Sequence, residues 1–156
     1  LIIATDISDY RLKQAKIFGA DEGFLAKDYS PDIVRKHNQG RLADLVIVST
    51  GAVSAINQAL ESVERGGTVL FFAPTDKGIK IPLSFNELFW RNEITLASSY
   101  AGSPKDYQDA LDWIATGKLK LADMITHRLP LAKITEGFRL VTEAQESIKV
   151  IIYPQI

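Results

Sequence analysis

The sequence predicts an α/β protein with a doubly wound, mainly parallel sheet. Apolar runs of strand length alternate with segments of helical periodicity along the whole chain. This alternation is typical of βαβ units, which place helices on both faces of a parallel sheet. One run, Leu45-Val46-Ile47-Val48, is apolar at every position, as strands covered on both faces usually are. No internal repeat or linker interrupts the pattern, so we expect one domain.

Six apolar, β-rich runs, each bounded by turn residues, predict the strands. They lie at residues 1–5, 20–24, 44–49, 68–73, 94–100 and 148–153. Asp6 ends the first run and Pro74 stops the fourth. The second run is either a short strand or a turn.

Capping residues and glycines predict where the first two helices begin and end. Ser8 or Asp9 opens the first helix, and Gly19 stops it. Ser30-Pro31-Asp32 is typical of an N-cap followed by proline at the first helical position. This second helix ends by Gly40.

Helical spacing predicts the remaining helices. Residues 53–63 form a strongly amphipathic helix that Arg65-Gly66-Gly67 ends. The motif Ser84-Phe85-Asn86-Glu87 has the spacing of a capping box, and Ser103-Pro104 opens the next helix. The last helix starts at Leu131 and is expected to turn three apolar residues inward: Ile134, Phe138 and Val141.

Composition excludes several classes of protein. Lys and Arg total 18 against 19 Asp and Glu, giving a net charge of −1, so we expect no nucleic-acid partner. The apolar runs are too short to span a bilayer. Cysteine is absent and the only histidines, His37 and His127, are far apart in sequence, so no metal-ligand spacing is present. We expect a cytoplasmic protein that acts on a small molecule.

The ends of the predicted strands carry the candidate site, because ligands of doubly wound sheets bind outside the carboxyl ends of strands. Asp6 can accept hydrogen bonds from ribose hydroxyls and would repel a 2′-phosphate, which favours NAD over NADP. The alternative is a turn aspartate that caps the next helix. Arg11 either reaches the same ribose or is a solvated helix residue. Ser49-Thr50-Gly51 is a small turn where a backbone can approach a ligand closely.

The absence of several sequence motifs excludes some classes of enzyme. The chain has no G-x-G-x-x-G and no Walker A pattern. It has no G-x-S-x-G, which excludes a nucleophile elbow. No tyrosine is followed four residues later by lysine, so the tyrosine–lysine pair of short-chain dehydrogenases is excluded.

Several segments nevertheless share the pattern of one enzyme family. Asp6-Ile7-Ser8 with Arg11 follows one predicted strand, Ser49-Thr50-Gly51 ends another, and Gly66-Gly67-Thr68-Val69 leads into the next. The most specific segment is residues 125–138, Ile-Thr-His-Arg-Leu-Pro-Leu through Glu-Gly-Phe. Together they resemble zinc-dependent medium-chain alcohol and polyol dehydrogenases. Tyr100-Ala101-Gly102-Ser103 resembles the sorbitol, threonine and butanediol dehydrogenase subgroups most.

The resemblance implies a role for each position that matches the family. The adenosine ribose would be held by Asp6 and Arg11 and the adenine would pack on Ile7. Thr50 and Gly51 would line the nucleotide. The nicotinamide carboxamide would be held by the Phe71 carbonyl and by the Ala73 and Tyr100 amides. Lys149 would face the pyrophosphate.

The resemblance also implies what this chain would lack. Residues 1–156 would form a partial Rossmann-type NAD-binding domain, without its first strand and glycine-rich turn. The catalytic zinc domain would be absent, so this chain would hold no catalytic and no metal-binding residue. The expected function is the cofactor-binding part of a zinc-dependent, NAD-linked dehydrogenase that oxidises an alcohol or polyol by hydride transfer. The alternatives are a non-catalytic dinucleotide-sensing domain and a Rossmann-like methyltransferase.

The strand order of the fold predicts where the absent strand would lie. In the order 3-2-1-4-5-6 the first strand is central, between residues 1–5 and 44–49. Because the chain opens in mid-strand, without an initiator Met, we favour a longer polypeptide. The alternatives are that the two strands close up or that another chain fills the gap. We expect the 156 residues alone to bind NAD weakly and to be inactive.

Residues Ile94 to Tyr100 are expected to form an edge strand. An apolar, β-rich strand at a sheet edge invites association with another chain. In the family that this sequence resembles, the same strand joins two subunits. We therefore expect a homodimer with twofold symmetry, and leave open whether two dimers form a tetramer.

Overall fold

The computed structural model describes residues 1–155, in which strands and helices alternate. The elements are β1 (Ile3–Asp6), α1 (Asp9–Ile17), β2 (Glu22–Leu25), α2 (Pro31–His37), β3 (Ala43–Val48), α3 (Val53–Ser62), β4 (Val63–Phe71), β5 (Thr95–Ser98), α4 (Pro104–Ala115), β6 (Ile125–Pro130), α5 (Ile134–Glu143) and β7 (Lys149–Tyr153). A π-helical turn spans Asn86–Arg91 and short 3₁₀ helices span Leu121–Met124 and Leu131–Lys133.

All strand pairs in this part of the chain are parallel, and they form three sheets. β1 pairs with β2, β4 lies between β3 and β5, and β6 pairs with β7. Parallel pairing through helical crossovers confirms the predicted α/β class. β5 lies at an edge of its sheet, as predicted, although it is shorter than the run from Ile94 to Tyr100.

β1 and β3 lie on either side of a gap between two of these sheets. Within residues 1–155, β1 has a ladder partner only in β2, and β3 only in β4. The two strands therefore do not close up, which agrees with a central position for an additional strand. We call the space between them the inter-strand slot.

The core lies between α3 and the β3–β5 sheet. Val69 is fully buried, and Ile56 and Ala59 of α3 pack in the same cluster as Val48 and Ile94. These helix residues are three apart, so they share the face that meets the sheet. This confirms the prediction that the apolar residues at helical spacing in this segment form a buried helix face.

Two hydrogen bonds join the β1–β2 side of the molecule to α3. Gln58 Nε2 donates to the Ala26 carbonyl at 3.0 Å, and the Tyr29 hydroxyl donates to Ser62 Oγ at 2.7 Å. Burial raises the pKa of Tyr29 above its ordinary value, so the hydroxyl stays protonated and can donate at neutral pH. These bonds tie the segment that follows β2 to α3.

The predicted helix caps are only partly correct. Ser8 caps α1, and Ser103 forms a full capping box with Asp106 on α4. The capping box predicted at Ser84 and Glu87 is wrong, because Phe85 precedes the π-helical turn without any side-chain cap. The predicted break at Arg65-Gly66-Gly67 is a bulge inside β4, where the register with β3 shifts and Gly66 has a φ of 70°.

β3 is covered on only one face, which contradicts the prediction from its apolar run. Val48 is 4% exposed, whereas Leu45 and Ile47 are 55% and 57% exposed. Successive side chains of a strand point to opposite faces. Within residues 1–155, α3 covers one face of β3 and the other face is open. The apolar side chains on the open face therefore have nothing in this part of the chain to pack against.

The prediction that Ile134, Phe138 and Val141 of the last helix face inward is also wrong. Phe138 and Val141 are 68% and 55% exposed. The buried residue is Gly137, where an added Cβ would lie 3.1 Å from Ile152 Cδ1. The glycine lets α5 lie close to β6 and β7, and two strands are too narrow to cover the rest of the apolar face. Strand β6 itself was not predicted as a strand.

Candidate nucleotide-binding site

Most of the residues singled out from the sequence lie at or just after the ends of four strands. Val48, Phe71 and Ser98 are neighbours in register across β3, β4 and β5. The turns that follow these strands therefore begin at the same level of one sheet edge. They contain Thr50 and Gly51 after β3, Ala73 after β4 and Tyr100 after β5, while Asp6 is the last residue of β1.

Asp6 is both a turn residue and a free acceptor. Its Oδ1 accepts a hydrogen bond from the Ser8 amide at 2.9 Å, so the turn role proposed as the alternative is present. Its Oδ2 lies 4.0 Å from the Arg11 guanidinium, and the Asp6 side chain is 29% exposed. Because an ionised carboxylate has about four acceptor positions, Asp6 can still accept from a ribose.

Asp6, Ile7 and Arg11 lie together on one cavity of about 410 Å³. One wall of this cavity is formed by residues 6–11 and the other by residues 143–146. Ile7 is 88% exposed and offers an uncovered apolar surface there. We call this space the β1-turn cavity. Its second wall was not predicted from the sequence, because it comes from a turn far along the chain.

Thr50 lies at one end of the inter-strand slot, which has a volume of about 710 Å³. Residues 1–5 and 43–50 line the two sides, and Tyr29, Val34 and Ala59 lie among the residues between them. Its lining therefore includes backbone edges on both sides and side chains from the α2 and α3 region. A strand placed there would find hydrogen-bonding groups on both edges.

Gly51 brings the turn after β3 into contact with the loop after β4. A Cβ added at Gly51 would lie 2.3 Å from the Pro74 carbonyl oxygen. No side chain fits that separation, so the approach requires glycine. The two strand-end segments are thereby held together without a side chain between them.

Replacement of Gly51 by alanine is expected to destabilise the protein by about 1–3 kcal/mol, as other overpacking substitutions do. The added methyl group would push the β3 turn away from Pro74. Chemical denaturation followed by circular dichroism would measure the loss. Gly40→Ala is the comparison variant. Gly40 has a φ of 86° but open space around its Cβ position, so any loss of stability there would come from backbone strain and not from packing. Wild-type stability in Gly51→Ala would contradict the proposed contact.

The ends of β4 and β5 offer one acceptor and two donors. The Phe71 carbonyl accepts from the Ser99 amide at 3.2 Å and keeps a second lone pair. Within residues 1–155, neither the Ala73 amide nor the Tyr100 amide donates a hydrogen bond. Tyr100 is 95% exposed. The oxygen of a carboxamide can accept from both amides, and one of its N–H groups can donate to the Phe71 carbonyl, so these three groups are complementary to it.

Lys149 lies apart from the other candidates. It begins β7, in the β6–β7 sheet, and lines neither the β1-turn cavity nor the inter-strand slot. Its carbonyl accepts from Thr126 Oγ1 at 3.2 Å. The pyrophosphate contact expected of Lys149 therefore stays a prediction.

The described part of the chain does not fit a zinc ion. Over residues 1–155 no three His, Asp or Glu side chains are grouped so that they could hold a metal, and the sequence has no cysteine.

The helices of residues 1–155 are too short or too polar to cross a membrane.

The parallel strands joined by helical crossovers define a Rossmann-type α/β fold. The chain belongs to the zinc-binding dehydrogenase family, whose model matches residues 1–116. Sorbitol dehydrogenase from Bombyx mori is 32% identical over 158 residues, which cover 99% of this chain and 44% of that protein.

Solved structures agree with this assignment. Alcohol dehydrogenase from Thermotoga maritima superposes with a TM-score of 0.84 at 25% identity, covering 97% of this chain and 42% of that one. An alcohol dehydrogenase from Escherichia coli CFT073, solved with NADH, has the same fold, with a TM-score of 0.83 at 19% identity over 96% of this chain and 43% of that one. The chain thus spans less than half the length of these proteins.

Proposed function

We propose that this chain is the NAD-binding part of a zinc-dependent dehydrogenase that oxidises an alcohol or a polyol. The observation that carries the proposal is the Asp6 carboxylate, which ends β1 and opens on the β1-turn cavity. Membership of the zinc-binding dehydrogenase family supports it, as does the similarity to proteins named sorbitol dehydrogenase and alcohol dehydrogenase.

The residues of this chain would bind and orient the cofactor. Asp6 accepts from the ribose hydroxyls, Arg11 stands beside it and Ile7 packs on the adenine. Bound NAD supplies the hydride acceptor of the reaction. Thr50 and Gly51 are proposed to line the nucleotide. The Phe71 carbonyl and the Ala73 and Tyr100 amides are proposed to bind the carboxamide, and Lys149 the pyrophosphate.

The zinc ion and the substrate pocket are assigned to a part of the protein outside these residues. Support comes from the absence of a metal-ligand group in residues 1–155 and from the family name. No proton transfer or metal-assisted step is therefore assigned to a residue of this chain. A cytoplasmic location stays a prediction from composition.

Titration of the full-length protein with NAD and with S-adenosylmethionine tests the proposed function. We expect saturable binding of NAD and none of S-adenosylmethionine. Binding of S-adenosylmethionine alone would favour the methyltransferase. Binding of NAD without oxidation of any polyol or simple alcohol by the zinc-loaded protein would favour the dinucleotide-sensing domain.

We further propose a homodimer through the free edge of β5. The edge position of this strand and the exposed side chains beside it support the proposal, with Tyr100 95% exposed. Twofold pairing of β5 with its copy would satisfy the unpaired backbone groups of both edges.

A charge at the end of this edge is expected to weaken the dimer. Ser99→Asp would place two like charges near the twofold axis, where they repel each other. Sedimentation velocity at micromolar concentration should show a larger share of monomer than for the wild type. Ser84→Asp is the control, since Ser84 is exposed and lies outside β5. A monomeric wild type at high micromolar concentration would contradict the dimer.

A further inference from the structure

The second wall of the β1-turn cavity is a defined turn between α5 and β7. Ala144 ends α5 in the left-handed conformation, with a φ of 51°, and so reverses the chain. Ser147, which is 2% exposed, donates from its hydroxyl to the Leu140 carbonyl at 2.7 Å. The turn is thus anchored at both ends, and residues 143–146 face residues 6–11 across the cavity.

The two walls carry more negative than positive charge. Asp6 lies 4.0 Å from Arg11, and Glu143 forms an ion pair of 2.7 Å with Arg139. Glu146 also lines the cavity, and no cationic side chain of residues 1–155 lies within 4.0 Å of its carboxylate. Among the lining residues, Asp9 and Glu146 are thus the carboxylates that form no ion pair, and Glu146 is the one on the wall opposite Asp6.

We infer that Glu146 is a second specificity determinant, which acts with Asp6 to favour NAD over NADP. This inference rests on the proposed function, in which the adenosine ribose occupies the β1-turn cavity beside Asp6. The two cofactors differ only by the 2′-phosphate, which would enter this cavity with about two negative charges at neutral pH. Asp6 binds the free hydroxyls by hydrogen bonds, whereas Glu146 acts through the repulsion of the phosphate from the opposite wall.

The size of the effect follows from the exposure of the cavity to water. Repulsion between charges across a solvated gap is weak and is screened over a Debye length of about 8 Å at physiological ionic strength. Removal of one such charge should therefore strengthen NADP binding by about two- to fivefold at low salt. NAD has no charge at the 2′ position, so its affinity should hardly change.

The test compares Glu146→Gln with the wild type in the full-length protein. Dissociation constants for NAD and NADP are measured by titration at low salt and at about 1 M salt, where the Debye length falls to about 3 Å. We expect tighter NADP binding, unchanged NAD binding and loss of the difference at high salt. Glu61→Gln, an exposed glutamate on α3 outside both cavities, should change neither constant.

Two results would overturn this inference. One is an NADP affinity that does not respond to Glu146→Gln or to the charge reversal Glu146→Lys. The other is an equal change for NAD and NADP, or a change that persists at high salt, because either would indicate a structural effect of the turn. Neither result bears on the role of Asp6. The proposed function itself fails if the full-length protein does not bind NAD or if substitution of Asp6 does not alter the binding.

Discussion

The 156-residue chain alone is expected to bind NAD with a millimolar or weaker dissociation constant and to show no dehydrogenase activity. In this fold the pyrophosphate binds at the turn and helix N-terminus that follow the central first strand. We expect that strand to occupy the inter-strand slot, since β1 and β3 have no partner on their facing edges within residues 1–155. Without these groups, the adenosine and carboxamide contacts must bind the cofactor by themselves.

Isothermal titration of the fragment with NAD measures this directly, after circular dichroism has shown that the fragment is folded. The matched comparison is a polypeptide that also carries an apolar strand, a glycine-rich turn and a helix in front of Leu1. We expect the longer protein to bind NAD with at least tenfold higher affinity, which corresponds to about 1.4 kcal/mol. Micromolar binding by the fragment would show that the additional strand and its turn are not required.

Asp6→Ala in the complete enzyme is expected to weaken NAD binding by about 10- to 100-fold. A hydrogen bond to a charged group contributes roughly 1.5–3 kcal/mol, and about 1.4 kcal/mol corresponds to a factor of ten. The substitution also removes the carboxylate that repels a 2′-phosphate, so the preference for NAD over NADP should fall. Dissociation constants for both cofactors, with kcat/KM for each, measure the two effects.

Two further variants separate the ribose contact from damage to the turn. Asp6→Asn keeps an oxygen that can accept from the Ser8 amide, so it should retain the fold while losing most of the discrimination. Asp28→Ala removes an exposed aspartate that lines neither cavity, and should leave both cofactors unaffected. An unchanged NAD to NADP ratio in Asp6→Ala would show that Asp6 does not bind the ribose.

Local sequence was sufficient to predict most of the strands and helices, although it did not predict β6. Apolar runs and capping residues are short-range signals, and the Ser103 cap, the α3 core face and the acidic end of β1 lie where these signals predicted them. They succeeded because each depends on residues that are neighbours along the chain. The predicted strand order also placed the inter-strand slot between the correct two strands.

Tertiary structure decided which apolar surfaces are covered and which distant segments meet. Leu45 and Phe138 were predicted to be buried but are exposed, because burial depends on what packs across a face and not on the pattern of the face itself. Gly51 was recognised as a turn residue, yet only its 2.3 Å approach to the Pro74 oxygen shows why no other residue fits. The turn containing Glu146 meets the Asp6 turn only through the fold, since no local pattern in the sequence connects two segments so far apart.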